Sequence, residues 1–215
     1  MMMITAYSES YLDDAMMNLG DMVEYAVCDL GYDADEFWGW FITSGIAEKF
    51  GNGNPKYVAG MSGFELTDAV LRATNIKVPV IAPSYPEFKG REYWAGWILA
   101  YYQWYTAKRF EEIAAAGLNL SAVMSMYILH EADESKFVEA ANEILHRNLL
   151  ARKPQLQTIR KARGMTQQQL SDASGVSLRM IQLYEQRQND LSKAQAAVVL
   201  RLAKVLGCGL EDLLE

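Results

Sequence analysis

Histidine and cysteine are nearly missing from this chain of 215 residues, which has two of each. Cys28 and Cys208 stand far apart with no metal-type spacing, and a reduced, cytoplasmic protein is the simplest reading of them. His130-Glu131 begins like the zinc-helix pattern His-Glu-x-x-His, but the second ligand position holds Glu134, and His146 stands alone. No metal and no cofactor is therefore expected. Long apolar runs are also missing. The nearest, Trp94 to Tyr105, is interrupted by Gln103 and rich in Tyr, so no membrane span is expected. The opening MMMITAYSESYLDD has no basic region ahead of an apolar core, so it does not read as a secretory signal.

Catalytic motifs fail one by one. Gly60-Met61-Ser62-Gly63 suggests a nucleophile elbow, yet the glycine required two positions after the serine is Phe64. Gly51-Asn52-Gly53-Asn54-Pro55 is glycine-rich, but no strand–loop–helix unit surrounds it, which leaves a turn and not a phosphate cradle. No catalytic residue is assigned, and the chain is not expected to be an enzyme.

Charge divides the chain in two. The total is −7, yet residues 152–215 carry ten Lys or Arg against six Asp or Glu, a balance of +4 that leaves −11 for residues 1–151. Such asymmetry joins a basic module to an acidic one with a different job. The acidic part should not lie along DNA, whose phosphates would repel it. Ala151-Arg-Lys-Pro-Gln155 is the expected boundary, because Pro154 prevents a smooth helical continuation there.

The acidic part, residues 1–151, reads as helical throughout. Residues 8–30 place Tyr11, Leu12, Ala15, Met16, Leu19, Met22, Val23, Ala26, Val27 and Leu30 at three-and-four spacing, with Asp13, Asp14, Asp21 and Glu24 on the remaining surface. Gly31 is placed to end that helix. Asp33 or Asp35 starts a second helix expected to run through Phe50, with Trp38 and Trp40 as core and edge packing. Tyr57-Val58-Ala59 is extended at best. Ser62 caps a helix to about Ala73, with Glu65 as its capping-box partner. Residues 75–90 hold three of the five prolines. They form an ordered excursion whose apolar Val78, Val80, Ile81 and Phe88 argue that it packs on something, or a flexible partner-binding loop. Arg91 to Ala116 reads as one helix with Trp94, Trp97, Ile98, Tyr101, Tyr105 and Phe110 on one face and Tyr102 and Trp104 to the side. It is either a central core helix or a partly exposed aromatic surface. After Gly117, Asn119 or Ser121 caps a short helix, and Asp133 to Leu150 forms another.

The basic part, residues 152–215, is the most patterned. Leu156, Ile159 and Ala162 give a first helix its apolar face, and Gly164 ends it. Thr166 and Gln169 form a Thr-x-x-Gln capping box for a second helix, which Leu170 and Ala173 point inward. Gly175 turns the chain beside Val176. Ser177 caps a third helix with Ile181 and Tyr184 inward and Arg179, Gln182 and Gln186 outward. Ser192, with Gln195 in capping-box position, opens a fourth helix to Leu206, and Leu210, Leu213 and Leu214 close the bundle with a fifth.

These residues resemble the lambda-repressor-like, Xre/Cro-type helix-turn-helix family. The resemblance rests on Thr166-Gln167, Leu170, Ala173, Gly175-Val176-Ser177, Ile181 and Glu185, and continues through Leu202-Ala203, Leu206-Gly207 and Leu210 to Leu214. It implies an all-α chain with an N-terminal helical domain and a C-terminal five-helix DNA-binding domain. It further implies that Arg160 and Glu185 clamp the first helix onto the third. Members often have glycine two positions after Glu185, where this chain has Arg187.

The candidate DNA-contacting residues are Thr166, Gln167, Gln168, Ser177, Leu178, Arg179, Gln182, Gln186, Arg187 and Lys193. The free N–H groups at the start of the second helix can hold a phosphate, with Gln167 beside them. In the major groove Arg179 would pair with guanine, Gln182 with adenine, and Leu178 with a thymine methyl. Arg187, Lys193, Arg152 and Lys153 are candidate phosphate contacts. The expected partner is double-stranded DNA, bound as a homodimer on two half-sites. Architecture and charge resemble bacterial antitoxins, which join such a module to a toxin-neutralising segment and repress their own operon. The open alternatives are a partner-binding protein in which DNA contact is secondary, and a repressor whose N-terminal domain senses a small molecule.

Overall fold

Apolar residues at three-and-four spacing make a helical rod of residues 9–29, but not a uniform one. In the computed structural model, which describes residues 5–84, 86–151 and 154–214 (side chains at 150 and 151 excepted), a 3-10 turn at Glu9–Tyr11 leads into α1, Leu12–Glu24. A π turn, Tyr25–Asp29, then widens the last stretch, with the Leu30 N–H bonded to the Tyr25 carbonyl at 3.0 Å. Every described helix is α, 3-10 or π, and no strand occurs among the described residues. The chain is all-α, as its periodicity implies.

The chain forms two compact units, Met1–Arg147 and Asn148–Glu215. In the first, α2 (Ala34–Thr43) starts at Asp33, whose carboxylate accepts the N–H groups of Asp35 and Glu36 at 3.0 Å each. The expected continuous helix to Phe50 is broken: Gly45 takes φ 72°, and a separate α3, Ile46–Gly51, follows. Tyr57 and Val58, expected to be extended at best, lie in a short α4, Pro55–Val58, which Asn54 caps at 3.1 Å. Proline at the first helical position suits it, because the missing N–H would have no helical partner. α5 (Gly63–Ala73) opens on the expected box, Ser62 Oγ accepting the Glu65 N–H and Glu65 Oε2 accepting the Ser62 N–H at 2.8 Å.

α6 (Arg91–Thr106) is the central helix, lying along α1 for most of its length. It stops ten residues short of the expected end. Ala107 enters the left-handed region at φ 52°, and α7 (Phe110–Ala115) leaves in a new direction. The turn delivers Phe110 into a ring cluster, with centroids 5.5 Å from Trp38, 5.4 Å from Phe41 and 6.0 Å from Phe50. The buried face of α6 is also shifted from the expected one. Tyr102 and Trp104 are buried, whereas Trp97, Tyr101 and Tyr105 are half-buried. Polar handles explain the shift: Tyr102 Oη donates to Asn142 at 2.8 Å, and Trp104 Nε1 donates to the Tyr7 carbonyl at 2.9 Å. α8 (Leu120–Met124) is capped by Asn119, and α9 (Glu134–Ala151) closes the series. His130 is exposed and stacks on Tyr127 at 4.2 Å.

Two glycines set how closely helices approach α1. A Cβ on Gly63 would lie 2.5 Å from the Met22 nitrogen, and one on Gly96 would penetrate the Leu19 carbonyl. Glu24, expected on the surface, is buried and joined to Lys89 at 2.6 Å. The 75–90 excursion is non-helical, but its expected packing fails at its tip, where Val80 is fully exposed and Phe88 is 82% exposed.

The second unit packs α10 (Gln155–Ala162), α11 (Gln167–Ser174), α12 (Leu178–Glu185) and α13 (Ala196–Leu206) around Leu156, Leu170, Val176, Ile181, Tyr184, Leu202 and Leu206. Ala162 and Ala173 are exposed, contrary to expectation, and Ser174 is buried instead. Its hydroxyl donates to the Leu170 carbonyl at 2.6 Å and accepts the Val176 N–H at 3.2 Å, so the polar atom is satisfied inside. Ser192 does not cap α13. It lies in a 3-10 turn, Leu191–Lys193, that Asp190 caps, and α13 starts after Gln195. The segment after Gly207 is a turn where a fifth α-helix was expected, yet Leu213 still reaches the core.

Gly96→Ala should destabilise the first unit by about 1–3 kcal/mol through overpacking against the α1 backbone. Gly39→Ala, in α2 with nothing within 4 Å of its would-be Cβ, should stabilise it by about 0.5–1 kcal/mol. Urea unfolding midpoints of the two variants should therefore move in opposite directions.

Candidate nucleic-acid interface

The interface begins with a buried ion pair. Arg160 of α10 donates from Nε to Glu185 Oε1 at 2.6 Å and from Nη2 to Oε2 at 2.7 Å, while Nη1 donates to the Met165 carbonyl at 2.6 Å. Both side chains are removed from solvent, so the fork-to-fork geometry must satisfy them internally. Burial pushes the Glu185 carboxyl up, but the hydrogen bonds from Arg160 and Gln167 and the Arg160 charge outweigh it, holding the group below its ordinary 4.5. The hydrogen bond to Glu185 likewise raises Arg160. Gln157 also donates to Glu185, at 3.4 Å, a contact the sequence pattern did not mark.

Around this pair the candidate residues take definite places. Thr166 Oγ1 accepts the Gln169 N–H at 3.1 Å, and Gln169 Oε1 accepts the Thr166 N–H at 2.8 Å. The box leaves the N–H groups of Gln167 and Gln168, at the start of α11, for an outside acceptor. The Gln167 side chain donates to Glu185 Oε2 at 2.8 Å, so one of its two amide hydrogens is committed to the clamp. Gln168, exposed, donates to Asp172 at 2.8 Å. The start of α11 is thereby fastened beside the last turn of α12.

On α12, Ser177 Oγ accepts the Met180 N–H at 3.3 Å as the cap, and Leu178 is half-buried. Arg179 and Gln186 are exposed and Gln182 is half-buried. Their spacing of three and four puts them on one face. Gly175, at φ 66°, makes the turn between the two helices where any Cβ would be strained. Lys193 is exposed and sits 3.4 Å from Asp190 in the 3-10 turn. Arg152 and Lys153 lie outside the described residues. Arg187 adopts φ 54°, the left-handed backbone region that favours glycine. Arg163 counted only as charge in the sequence. Here it donates to the Leu206 carbonyl at 2.8 Å and the Gly207 carbonyl at 3.0 Å, closing the end of α13.

The model of the family described as helix-turn-helix matches residues 156–213. The second unit is an Xre/lambda-repressor-like helix-turn-helix. This match supports a DNA-binding transcription regulator. The match reaches no residue of the first unit, and neither a curated protein nor a solved structure matches the chain. Among the described residues no helix is long and apolar enough to cross a membrane.

Arg160→Ala leaves Glu185 buried without its cation and should cost about 3–5 kcal/mol in chemical denaturation. Because the Glu185 carboxyl is depressed in the folded state, its contribution is present above pH 4.5 and is lost as pH falls through the folded value. The helix-turn-helix unit should therefore lose stability on acidification below about pH 4.5, and more shallowly in Glu185→Gln. Arg187→Gly relieves the left-handed backbone and should be neutral to stabilising by about 1 kcal/mol. A thermal melt in which Arg187→Gly fell by several degrees would contradict that account.

Proposed function

We propose that this protein is a sequence-specific repressor that reads DNA through α12 and acts as an antitoxin, with its first unit binding the partner protein. The carrying observation is the face formed by exposed Arg179, half-buried Gln182 and, at the C-cap, exposed Gln186, on a helix whose last turn holds the phosphate-ready start of α11 through Gln167. Thr166, Gln167 and Gln168 take a phosphate at the helix N-terminus. Ser177, Leu178, Arg179 and Gln182 meet base edges, and Gln186, Arg187 and Lys193 flank the groove. Two copies on half-sites about one helical turn apart double the contacts, giving a homodimer on a pseudo-palindromic operator.

The antitoxin reading is supported by charge. The first 147 residues carry 21 acidic side chains against 10 basic ones, which suits a cationic protein partner and opposes DNA. Residues 1–151 are thus the partner-binding domain and 152–215 the DNA-reading domain.

The test is in vitro selection from random duplexes. The wild-type chain should enrich an inverted repeat, and Arg179→Ala should lose about 1–3 kcal/mol at that site and broaden the preference at one position per half-site. Lys193→Ala should weaken all duplexes alike and flatten the salt dependence. Unchanged selectivity in Arg179→Ala would remove that residue from the base-reading set. Enrichment of single half-sites would remove the dimer.

A further inference from the structure

Three donors crowd one oxygen of the buried Glu185 carboxylate. Oε2 accepts Arg160 Nη2 at 2.7 Å, Gln167 Nε2 at 2.8 Å and Gln157 Nε2 at 3.4 Å, while Oε1 accepts Arg160 Nε at 2.6 Å. A carboxylate oxygen offers about two lone-pair sites, and the two short bonds at Oε2 use both. The Gln157 bond is the long third one, so it places this amide without engaging much of its donor strength. Gln157 lies on α10, and its residue type and position gave no sign of a site.

Glu185 also sorts the two ends of each amide. An ionised carboxylate only accepts, so it draws the NH2 groups of Gln157 and Gln167 and leaves their carbonyls turned away. Each NH2 group carries a second hydrogen, and among the described residues no acceptor takes it from either glutamine. Both side chains are half-buried, which leaves them open to a partner arriving from solvent. Their nitrogens are neighbours, one 3.4 Å and the other 2.8 Å from a single oxygen. The Glu185 charge is itself matched by the bidentate Arg160, so an anion approaching the two amides meets a neutral pair.

We infer that Gln157 contacts DNA, forming with Gln167 a pair of amide donors that hang from Glu185 and share one backbone phosphate. A phosphate presents two unesterified oxygens side by side, and two spare N–H groups on adjacent side chains take one each. Such a contact is uncharged. It fixes the register of the unit on the duplex and releases no counterion of its own. The inference rests on the reading of the second unit as DNA-binding, and it adds α10 to the helices that touch the duplex.

The test combines Gln157→Met in the full chain with single methylphosphonates placed along the selected operator. Methionine keeps an unbranched side chain of similar length and removes both donor hydrogens. Affinity for every duplex should fall about three- to tenfold, the range of one hydrogen bond, with the salt dependence unchanged. A methylphosphonate at one position per half-site should erase that loss, and the same position should erase the loss from Gln167→Ala. The thermal midpoint of Gln157→Met should match the wild type, because a 3.4 Å bond to an oxygen already filled contributes little. Gln157→Arg restores a donor, so it should recover the affinity and steepen the salt slope by about one. Unchanged affinity in Gln157→Met, a loss that no methylphosphonate erases, or erasure at a different phosphate from that of Gln167 would overturn the inference. A chain that binds duplexes without selecting an operator loses its base-reading assignment alone, since the sequence-independent Gln157→Met loss should still appear on any duplex. A chain that binds no duplex overturns both.

Discussion

The Arg160–Glu185 pair is the interaction on which the DNA-facing surface depends. Two buried charges in a bidentate grip at 2.6 and 2.7 Å join α10 to α12, and the third guanidinium nitrogen holds the loop at Met165. Glu185 also receives Gln167, so the same carboxylate fixes where α11 begins relative to the end of α12. A buried pair of this kind contributes less net stability than its short distances suggest, since desolvation offsets much of the attraction. Its value lies in geometry. A carboxylate that collects Arg160, Gln157 and Gln167 allows one mutual arrangement of three helices, and phosphate and base contacts both require that arrangement.

In the first unit the comparable constraint is steric. Helix α1 is approached at backbone distance by α5 at Gly63 and by α6 at Gly96, and a separate aromatic cluster of Trp38, Phe41, Phe50 and Phe110 joins α2, α3 and α7. The surface left over is acidic, and its exposed large apolar residues among those described are Met17, Val80, Ile81, Phe88 and Ile128.

Local chemistry was legible where partners are close in sequence. The boxes Ser62–Glu65 and Thr166–Gln169 and the caps at Asp33, Asn119 and Ser177 follow from residue types three or fewer positions apart, and each is formed. The all-helical class followed from the three-and-four spacing of apolar residues. Interruptions were not legible when a distant demand imposed them. Ala107 is a good helix former, yet it turns left-handed because Phe110 must enter a cluster supplied by α2 and α3. Burial of Glu24 likewise depends on Lys89, 65 positions away. Ser174 displaced Ala173 from the interior because its hydroxyl found both a carbonyl and an N–H to satisfy it.

The sequence alone determined that the chain is helical, that its charge divides it into an acidic and a basic part, and that the basic part is a helix-turn-helix, because these are properties of spacing and composition along one stretch. It also marked Arg179, Gln182 and Gln186 as one face. Only the tertiary structure decided that Gln167 is drawn to Glu185, that Arg163 closes α13, and that residues 76–84 are fastened by Tyr25 and Asp29 with Val80 left outside. Each of these joins residues 18 to 56 positions apart. Periodicity reports which way a side chain faces along its own helix, and the partner it meets there is set by the packing of other helices.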